Sequence, residues 1–359
     1  MDINRLDKNL AVNTNIDEPD VAFYNVRQEP FEVYGLYDYK NGDHFLRMPE
    51  EESYKVSTPV HNISLASAGG RVRFCTDSGY IAIDARMMSI YRGPHFPLTG
   101  GAGFDLYIDF PEFGTSRYRH TFVPPYDMKD GYTSKVKFGS RELRYFTINF
   151  PTYSRVSELY IGIQQDATLG GGMKYLDKAP IIYYGSSITQ GGCCSRPGNA
   201  YQAVVSRRLN MDFVNLGFSG NAKGETAMAE YIAKQPMSVF VCDYDYNAPN
   251  VEHLENTHYN FYEIIRKACP ELPIVLMSKC DVDNMTPAVT VKRRDVIIET
   301  YRRARENGDK NIYFIDGAEV YRGPYEDMCT VDRCHPNDIG FALMADAVEA
   351  QLRRIFEKR

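Results

Sequence analysis

Two short segments of this chain hold a serine, a histidine and a carboxylate in contexts that suit nucleophilic catalysis. Gly185-Ser186-Ser187-Ile188-Thr189-Gln190-Gly191 follows the apolar run Ile181–Tyr184. Val331-Asp332-Arg333-Cys334-His335-Pro336-Asn337-Asp338 opens the last helical stretch. A hydroxyl becomes a nucleophile at neutral pH when an imidazole takes its proton and a carboxylate orients that imidazole. Gly185 permits a tight turn that presents the Ser187 hydroxyl at a strand end, with backbone N–H groups nearby. Among seven histidines, only His335 lies just before the final helix with an acid three residues upstream. That spacing lets Asp332 reach back to Nδ1 and leaves Nε2 free for the serine proton. The competing readings are a turn or N-cap serine, and a Pro-containing capping segment with Asn337 or Asp338 as the cap.

Acyl transfer also needs donors for the developing oxyanion, each worth roughly a hundredfold or more in rate. Asn215-Leu216-Gly217-Phe218-Ser219-Gly220-Asn221 offers the Gly220 N–H, and Asp243-Tyr244-Asp245-Tyr246-Asn247-Ala248 offers the Asn247 amide. Ordinary βα and Asx turns are the alternatives. Tyr244 and Tyr246 flank Asn247 as candidate walls of a substrate pocket, with plain packing as the other reading. Cys193 and Cys194 lack a partner at CxxC spacing, so they are expected to line the site and not to attack. Arg196 is either a substrate-anion contact or a solvated loop residue, the second being favoured. No metal is expected: Asp243 and Asp245 have no accompanying cluster, and His253 and His258 miss the i, i+4 spacing of a zinc pair. The loop Tyr91-Arg92-Gly93-Pro94-His95-Phe96-Pro97 carries no reading from the sequence alone.

The elements that must position these groups fall into two grammars. From about residue 21 to 168 the chain reads as strands and turns. Candidates are Gly70–Thr76, Tyr80–Ala85, Phe104–Phe110, Lys135–Phe138, Arg144–Phe150 and Glu158–Ile163, and no amphipathic helix is evident. Short, turn-punctuated strands suggest a jelly-roll-like antiparallel β-sandwich. Leu169-Gly170-Gly171-Gly172 reads as a linker. Beyond it, strands at Ile181–Tyr184, Phe213–Leu216, Ser238–Cys242, Ile274–Met277 and Ile312–Ile315 alternate with helical stretches. Those stretches are Ala200–Leu209, Glu225–Ala233, Val251–Ala268, Val291–Glu306 and Asp338–Phe356. Such alternation predicts a parallel sheet with helices on both faces, where function gathers at the carboxyl ends of the strands.

A chain of 359 residues exceeds one ordinary core, and two domains are expected, 1–170 and 178–359. A net charge of −6 without a Lys/Arg block argues against nucleic-acid or anionic-membrane partners. No apolar run approaches the roughly 18 to 20 residues of a membrane-spanning helix. The polar start, Met1–Lys8, lacks a signal-like apolar region, and eight scattered cysteines fit a reducing compartment, so a cytoplasmic location is expected. The tyrosines Tyr126, Tyr132 and Tyr145 are candidate sugar-stacking platforms, with packing or walling of the site as the equal alternative in a chain with no tryptophan.

The order of the serine, glycine, asparagine and Asp-x-x-His blocks resembles the SGNH, or GDSL-type, hydrolase superfamily of esterases and acylhydrolases. The resemblance covers about 178 to 359. It implies a flavodoxin-like three-layer α/β/α fold, with Ser187 as nucleophile, His335 as general base and Asp332 as its orienter. The Ser187 N–H, Gly220 N–H and Asn247 side chain would form the oxyanion hole. Two departures stand out. Ser186 replaces the usual aspartate, and only Asn247 persists of the Gly-x-Asn-Asp block. Gly101-Ala102-Gly103-Phe104-Asp105-Leu106-Tyr107 is similar to the Gly-x-Asp-Leu-Tyr signature of a domain that precedes one largely bacterial branch, in which Gly-Ser-Ser-Ile-Thr-Gln-Gly is the usual serine block. The resemblance implies a cofactor-free serine esterase acting on small acyl esters, acetyl esters of carbohydrates first among them. The alternatives are a non-catalytic glycan-binding protein and a thioesterase-type acyl hydrolase.

Overall fold

The structure, a computed structural model, describes residues 12–176, 178–280 and 288–358; the polar start Met1–Lys8 lies outside them. The first half is built from strands β1 (Val21–Asn25), β2 (Glu32–Tyr34), β3 (Arg71–Thr76), β4 (Tyr80–Ser89), β5 (Phe104–Phe110), β6 (Thr115–Phe122), β7 (Gly131–Lys137), β8 (Arg144–Asn149), β9 (Arg155–Gln164) and β10 (Leu169–Gly171). One sheet runs β1-β9-β4-β7. The other runs β10-β3-β8-β5-β6, with β2 also on β3. All pairings in both sheets are antiparallel. Alternate residues such as Ile81 and Ile83, Val72 and Phe74, Leu106, Ile148 and Ile161 fill the space between the sheets, as the period-two geometry of strands requires.

The other face of the second sheet is also covered, which simple alternation of polar and apolar residues does not reveal. Arg71, Arg73, Asp105, Asp109, Thr147 and Asn149 are buried there. Arg71 pairs with Asp212 and donates to the Phe213 carbonyl at 3.1 Å. Asp105 accepts from the Gly198 N–H at 2.9 Å. This sheet therefore lies against the second half of the chain through paired and hydrogen-bonded polar groups, as buried charges require.

Three expectations for this half are corrected. Helices do occur: α1 (Glu50–Val56), α2 (Thr58–Ser64) and the single turn α3 (Leu98–Gly101). At four to seven residues they are too short for a 3.6-residue period to show, and capping marks them instead. Ser57 accepts from the Val60 N–H at 3.2 Å at the start of α2. The segment Leu169–Gly171 is not a linker but the edge strand β10, paired with Thr76–Phe74. Tyr132 is 6% exposed and donates to the Phe122 carbonyl, so it is core; Tyr126 is exposed.

The second half contains β11 (Ile181–Gly185), α4 (Ser187–Gln190), α5 (Tyr201–Leu209), β12 (Phe213–Gly217), α6 (Thr226–Ala233), β13 (Val239–Asp243), α7 (Val251–Ala268), β14 (Ile274–Met277), α8 (Ala288–Glu306), β15 (Ile312–Ile315), α9 (Gly317–Val320) and α10 (Asp338–Glu357). Its sheet is parallel in the order β12-β11-β13-β14-β15. Ile182, Tyr184, Phe240, Leu276 and their neighbours pack under α6, α7 and α8. Ile181, Tyr183, Val241 and Val275 pack under α5 and α10. This is the three-layer, doubly wound arrangement, with the topological switch beside β11, the strand that leads into Ser187.

Candidate active site

Ser187 is the first residue of α4, directly after β11. Ser186 caps that turn: its Oγ accepts from the Ile188 N–H at 3.1 Å. A Cβ on Gly185 would lie 2.2 Å from the Asp243 carbonyl, so the close approach of β11 to β13 at this point requires glycine. Ser187 is 8% exposed, and its Oγ lies 2.9 Å from His335 Nε2.

The Asp-x-x-His turn folds as its spacing suggests. Asp332 Oδ2 lies 2.8 Å from His335 Nδ1, while Oδ1 accepts from the N–H groups of His335 (2.7 Å) and Cys334 (3.0 Å). Arg333 between them adopts φ +64°, the left-handed conformation that closes so tight a turn. Partial burial opposes ionisation of Asp332. The two backbone N–H groups and the imidazole outweigh it and hold the carboxyl below its ordinary value. Asn337 caps α10 through the Ile339 and Gly340 N–H groups. Asp338 instead binds Ser195, accepting from its N–H at 2.9 Å and from its hydroxyl, and so ties the loop after Ser187 to the helix after His335.

The Gly220 and Asn247 blocks follow the carboxyl ends of β12 and β13. Gly220 has φ +69° with open space on its Cβ side, and among the described residues neither its N–H nor that of Ser187 has a hydrogen-bond acceptor. Asn247 uses one amide hydrogen on the Phe218 carbonyl at 3.0 Å, which fixes the side chain and leaves the second hydrogen available. Behind this loop, Arg47 from the first half is 2% exposed and donates to the carbonyls of Gly217 (2.5 Å), Ile63 (2.6 Å) and Asn215 (3.2 Å). Burial lowers its pKa to about 9.

Two candidate pocket residues are corrected. Arg196 is not the freely solvated loop residue expected, its side chain being 20% exposed. It pairs with Asp105 at 3.3 Å, hydrogen-bonds the Tyr107 hydroxyl and lies over the Tyr118 ring, because the buried Asp105 carboxylate demands a cation. Tyr244 is 1% exposed, lies against His258 and shares a hydrogen bond with Thr257, so it is core below the site. Tyr246 is 38% exposed, with Lys279 Nζ 4.3 Å from its ring centre. Cys193 is buried beside His335, with its Sγ within 4.8 Å of ring nitrogens of His335 and His95. Asp243 and Asp245 hydrogen-bond Thr189 and the Lys279 N–H.

Sequence reasoning passed over the groups that the first half contributes. His95 Nε2 lies 3.7 Å from Asp332 Oδ2. Phe96 packs at 5.8 Å between ring centres from His335 and also contacts Tyr91 and Tyr153. The Tyr153 hydroxyl donates to the Ser187 carbonyl at 3.1 Å. Three aromatic rings and a histidine within a Pro-bounded loop and its neighbour were the available signal, but nothing local in sequence says that this loop meets residues 187 and 335.

Residues 178–353 match the model of the GDSL-like lipase/acylhydrolase family, and residues 21–169 match that of the N-terminus of SGNH-hydrolase-type esterases, named for Gly-x-Asp-Leu-Tyr. Among solved structures, a putative GDSL-like lipase from Bacteroides ovatus is similar at 26% identity and a TM-score of 0.83, over 94% of this chain and 98% of that one. The salicylyl-acyltransferase SsfX3 of a tetracycline biosynthetic pathway shares the fold at 19% identity and a TM-score of 0.75, over 94% and 98% of the two chains. A family two carbohydrate esterase from Clostridium thermocellum, solved with cellohexaose, shares it at 15% identity and a TM-score of 0.62, over 91% and 99%. A comparison with curated protein sequences yields no match.

Proposed function

The chain belongs to the SGNH/GDSL-type carboxylic ester hydrolases, in the branch with a Gly-x-Asp-Leu-Tyr N-terminal region, and from that premise we propose that it removes small acyl groups, acetyl first among them, from carbohydrate or similar polyol esters through Ser187, His335 and Asp332. The observation that carries this reading is the continuous relay from Ser187 Oγ to His335 Nε2 (2.9 Å) and from His335 Nδ1 to Asp332 Oδ2 (2.8 Å).

In this reading Asp332 holds the tautomer with hydrogen on Nδ1, and Nε2 accepts the Ser187 proton as Oγ adds to the ester carbonyl. The carbonyl oxygen becomes an oxyanion facing the Ser187 and Gly220 N–H groups and the free Asn247 amide hydrogen. The imidazolium returns the proton to the alkoxide oxygen, the alcohol leaves, and Ser187 carries the acyl group. Water then gives a proton to Nε2 as it attacks the acyl carbon, and Nε2 passes that proton to Ser187 Oγ as the carboxylic acid leaves.

The same geometry divides the substrate. Nε2 must lie beside the leaving oxygen, so His95 and Phe96, which pack against His335, border the alcohol portion. The first half thus walls the alcohol, and the Gly220 and Asn247 loops border the acyl group. A carbohydrate as that alcohol is supported by likeness of fold to carbohydrate esterases. A panel of acetylated mono- and oligosaccharides beside an aryl acetate and an acyl thioester, each run with Ser187→Ala, tests the reading. Faster release of acetate from a sugar than from the aryl ester would support it; a preference for the thioester would replace it with thioesterase chemistry.

A further inference from the structure

Where the two halves meet, soft ligand atoms gather around the general base. Among the described residues, His95, Cys193 and His335 form a group whose ring nitrogens and Sγ all lie within 4.8 Å of one another. They come from three separate segments: the Pro-bounded loop of the first half, the loop after α4 and the turn before α10. Cys193 is 3% exposed and held at φ +71°, a conformation that costs a non-glycine residue energy. Burial, helped by the charges of Asp332 and Cys334, pushes its thiol up to about 12. It is therefore protonated at neutral pH and serves poorly as a nucleophile. Beside two imidazoles it is well suited to a different task.

Thiol and imidazole donors together favour Zn2+ and its borderline-soft relatives. Bonds of about 2.0–2.3 Å in a tetrahedral site set neighbouring donors roughly 3.3–3.8 Å apart. The present spread closes with a shift of about 1 Å, which the side chain of His95, 38% exposed, has room to make. Asp332 holds Nδ1 of His335, and Nε2 lies 2.9 Å from Ser187 Oγ, so Nε2 is the nitrogen whose lone pair an ion would take from that hydroxyl.

We propose that His95, Cys193 and His335 form an inhibitory Zn2+ site that switches the esterase off by occupying its general base. The inhibition rests on the Ser187–His335 reading above; the binding does not. On binding, the Cys193 S–H bond breaks, its proton passes to solvent and a Zn–S bond forms. The Nε2 lone pair turns from the Ser187 hydroxyl to the ion, and water fills the fourth position. No oxidation state changes, Ser187 keeps its proton, and acyl transfer stops. Loss of the thiol proton makes the site tighter as pH rises.

The test uses full-length protein freed of metal, titrated with Co2+ as a spectroscopic probe and then with Zn2+, with aryl acetate hydrolysis followed in parallel. The expected result is a thiolate-to-cobalt charge-transfer band, abolished in Cys193→Ser, together with Zn2+ inhibition that a chelator reverses. His95→Ala and Cys193→Ser should each weaken inhibition at least about tenfold, scaled to that variant's own zinc-free rate. Absence of the thiolate band, or an inhibition constant unchanged in His95→Ala, would overturn the proposal. A protein that binds Co2+ through Cys193 but hydrolyses no ester would instead overturn the catalytic reading and leave the site standing.

Discussion

Replacing Asp105 by alanine should loosen the junction between the two halves and, through it, the active site. Asp105 is 0% exposed. One carboxylate oxygen accepts from the Asn149 amide at 2.8 Å, and the other accepts from the Gly198 N–H at 2.9 Å and pairs with Arg196 at 3.3 Å. Removing one partner of a buried pair costs about 3–5 kcal/mol, because the other charge stays inside without compensation. Arg196 keeps the Tyr107 hydroxyl and the Tyr118 ring, which moves the expectation to the lower end, about 3 kcal/mol. Unfolding entropy of about 2.1 cal/mol/K per residue over 359 residues turns this into a fall in Tm of about 4 °C. Asp105→Asn keeps an acceptor and loses the charge, so it should fall in between. The segment so released adjoins Ser195, which Asp338 ties to the helix after His335. The kcat for an aryl acetate should therefore drop, up to about a hundredfold if the Ser187–His335 geometry shifts by an ångström. Thermal unfolding and steady-state kinetics on the three proteins read both effects. A Tm for Asp105→Ala within about 1 °C of the parent would show that the buried Asp105–Arg196 pair does not hold the junction.

If Asn247 serves as an oxyanion donor as proposed, Asn247→Ala should lower kcat by about 10²–10³ with little change in KM. Asp332→Asn should cost about 10⁴ in kcat by favouring the wrong tautomer of His335. The lowered pKa of Asp332 contributes stability that is present above its ordinary value of 3.8 and lost as pH falls through its lower native value. The urea-unfolding difference between parent and Asp332→Asn should accordingly shrink between pH 6 and pH 3. Phe96→Ala opens the space beside His335 and should raise the rate for bulky-alcohol acetates relative to methyl acetate; an unchanged ratio would show that the first half does not border the alcohol.

The second half was legible because each of its signals is local. The five parallel strands and the helices between them announce themselves by short β-branched runs and longer periodic stretches, and β14, β15 and α7 fall within the expected bounds. Asp332 and His335 are joined by a three-residue turn, so their contact is a local one that the spacing allows and the Ser187 block makes meaningful. What the sequence hid is what depends on the junction. Arg196 reads as a loop residue until Asp105, ninety-one residues earlier, is found beneath it. Tyr244 lies close to Asn247 in sequence yet packs into the core against His258, a contact between separate segments that nothing local announces. His95 and Phe96 lie in a loop with no periodicity, and only the docking of the sandwich against the parallel sheet brings them to His335. Strand β10 escaped because its glycines carry no alternation, and pairing to β3 is decided by the partner.

If Ser187 is a nucleophile activated by His335 and steadied by Asp332, a fluorophosphonate should capture it. Intact-mass analysis after brief exposure, followed by peptide mapping, should give a single adduct on the peptide carrying Ser187, absent in Ser187→Ala and slowed by orders of magnitude in His335→Ala. A folded protein that stays unlabelled, or one that labels equally well without Ser187, would contradict that reading.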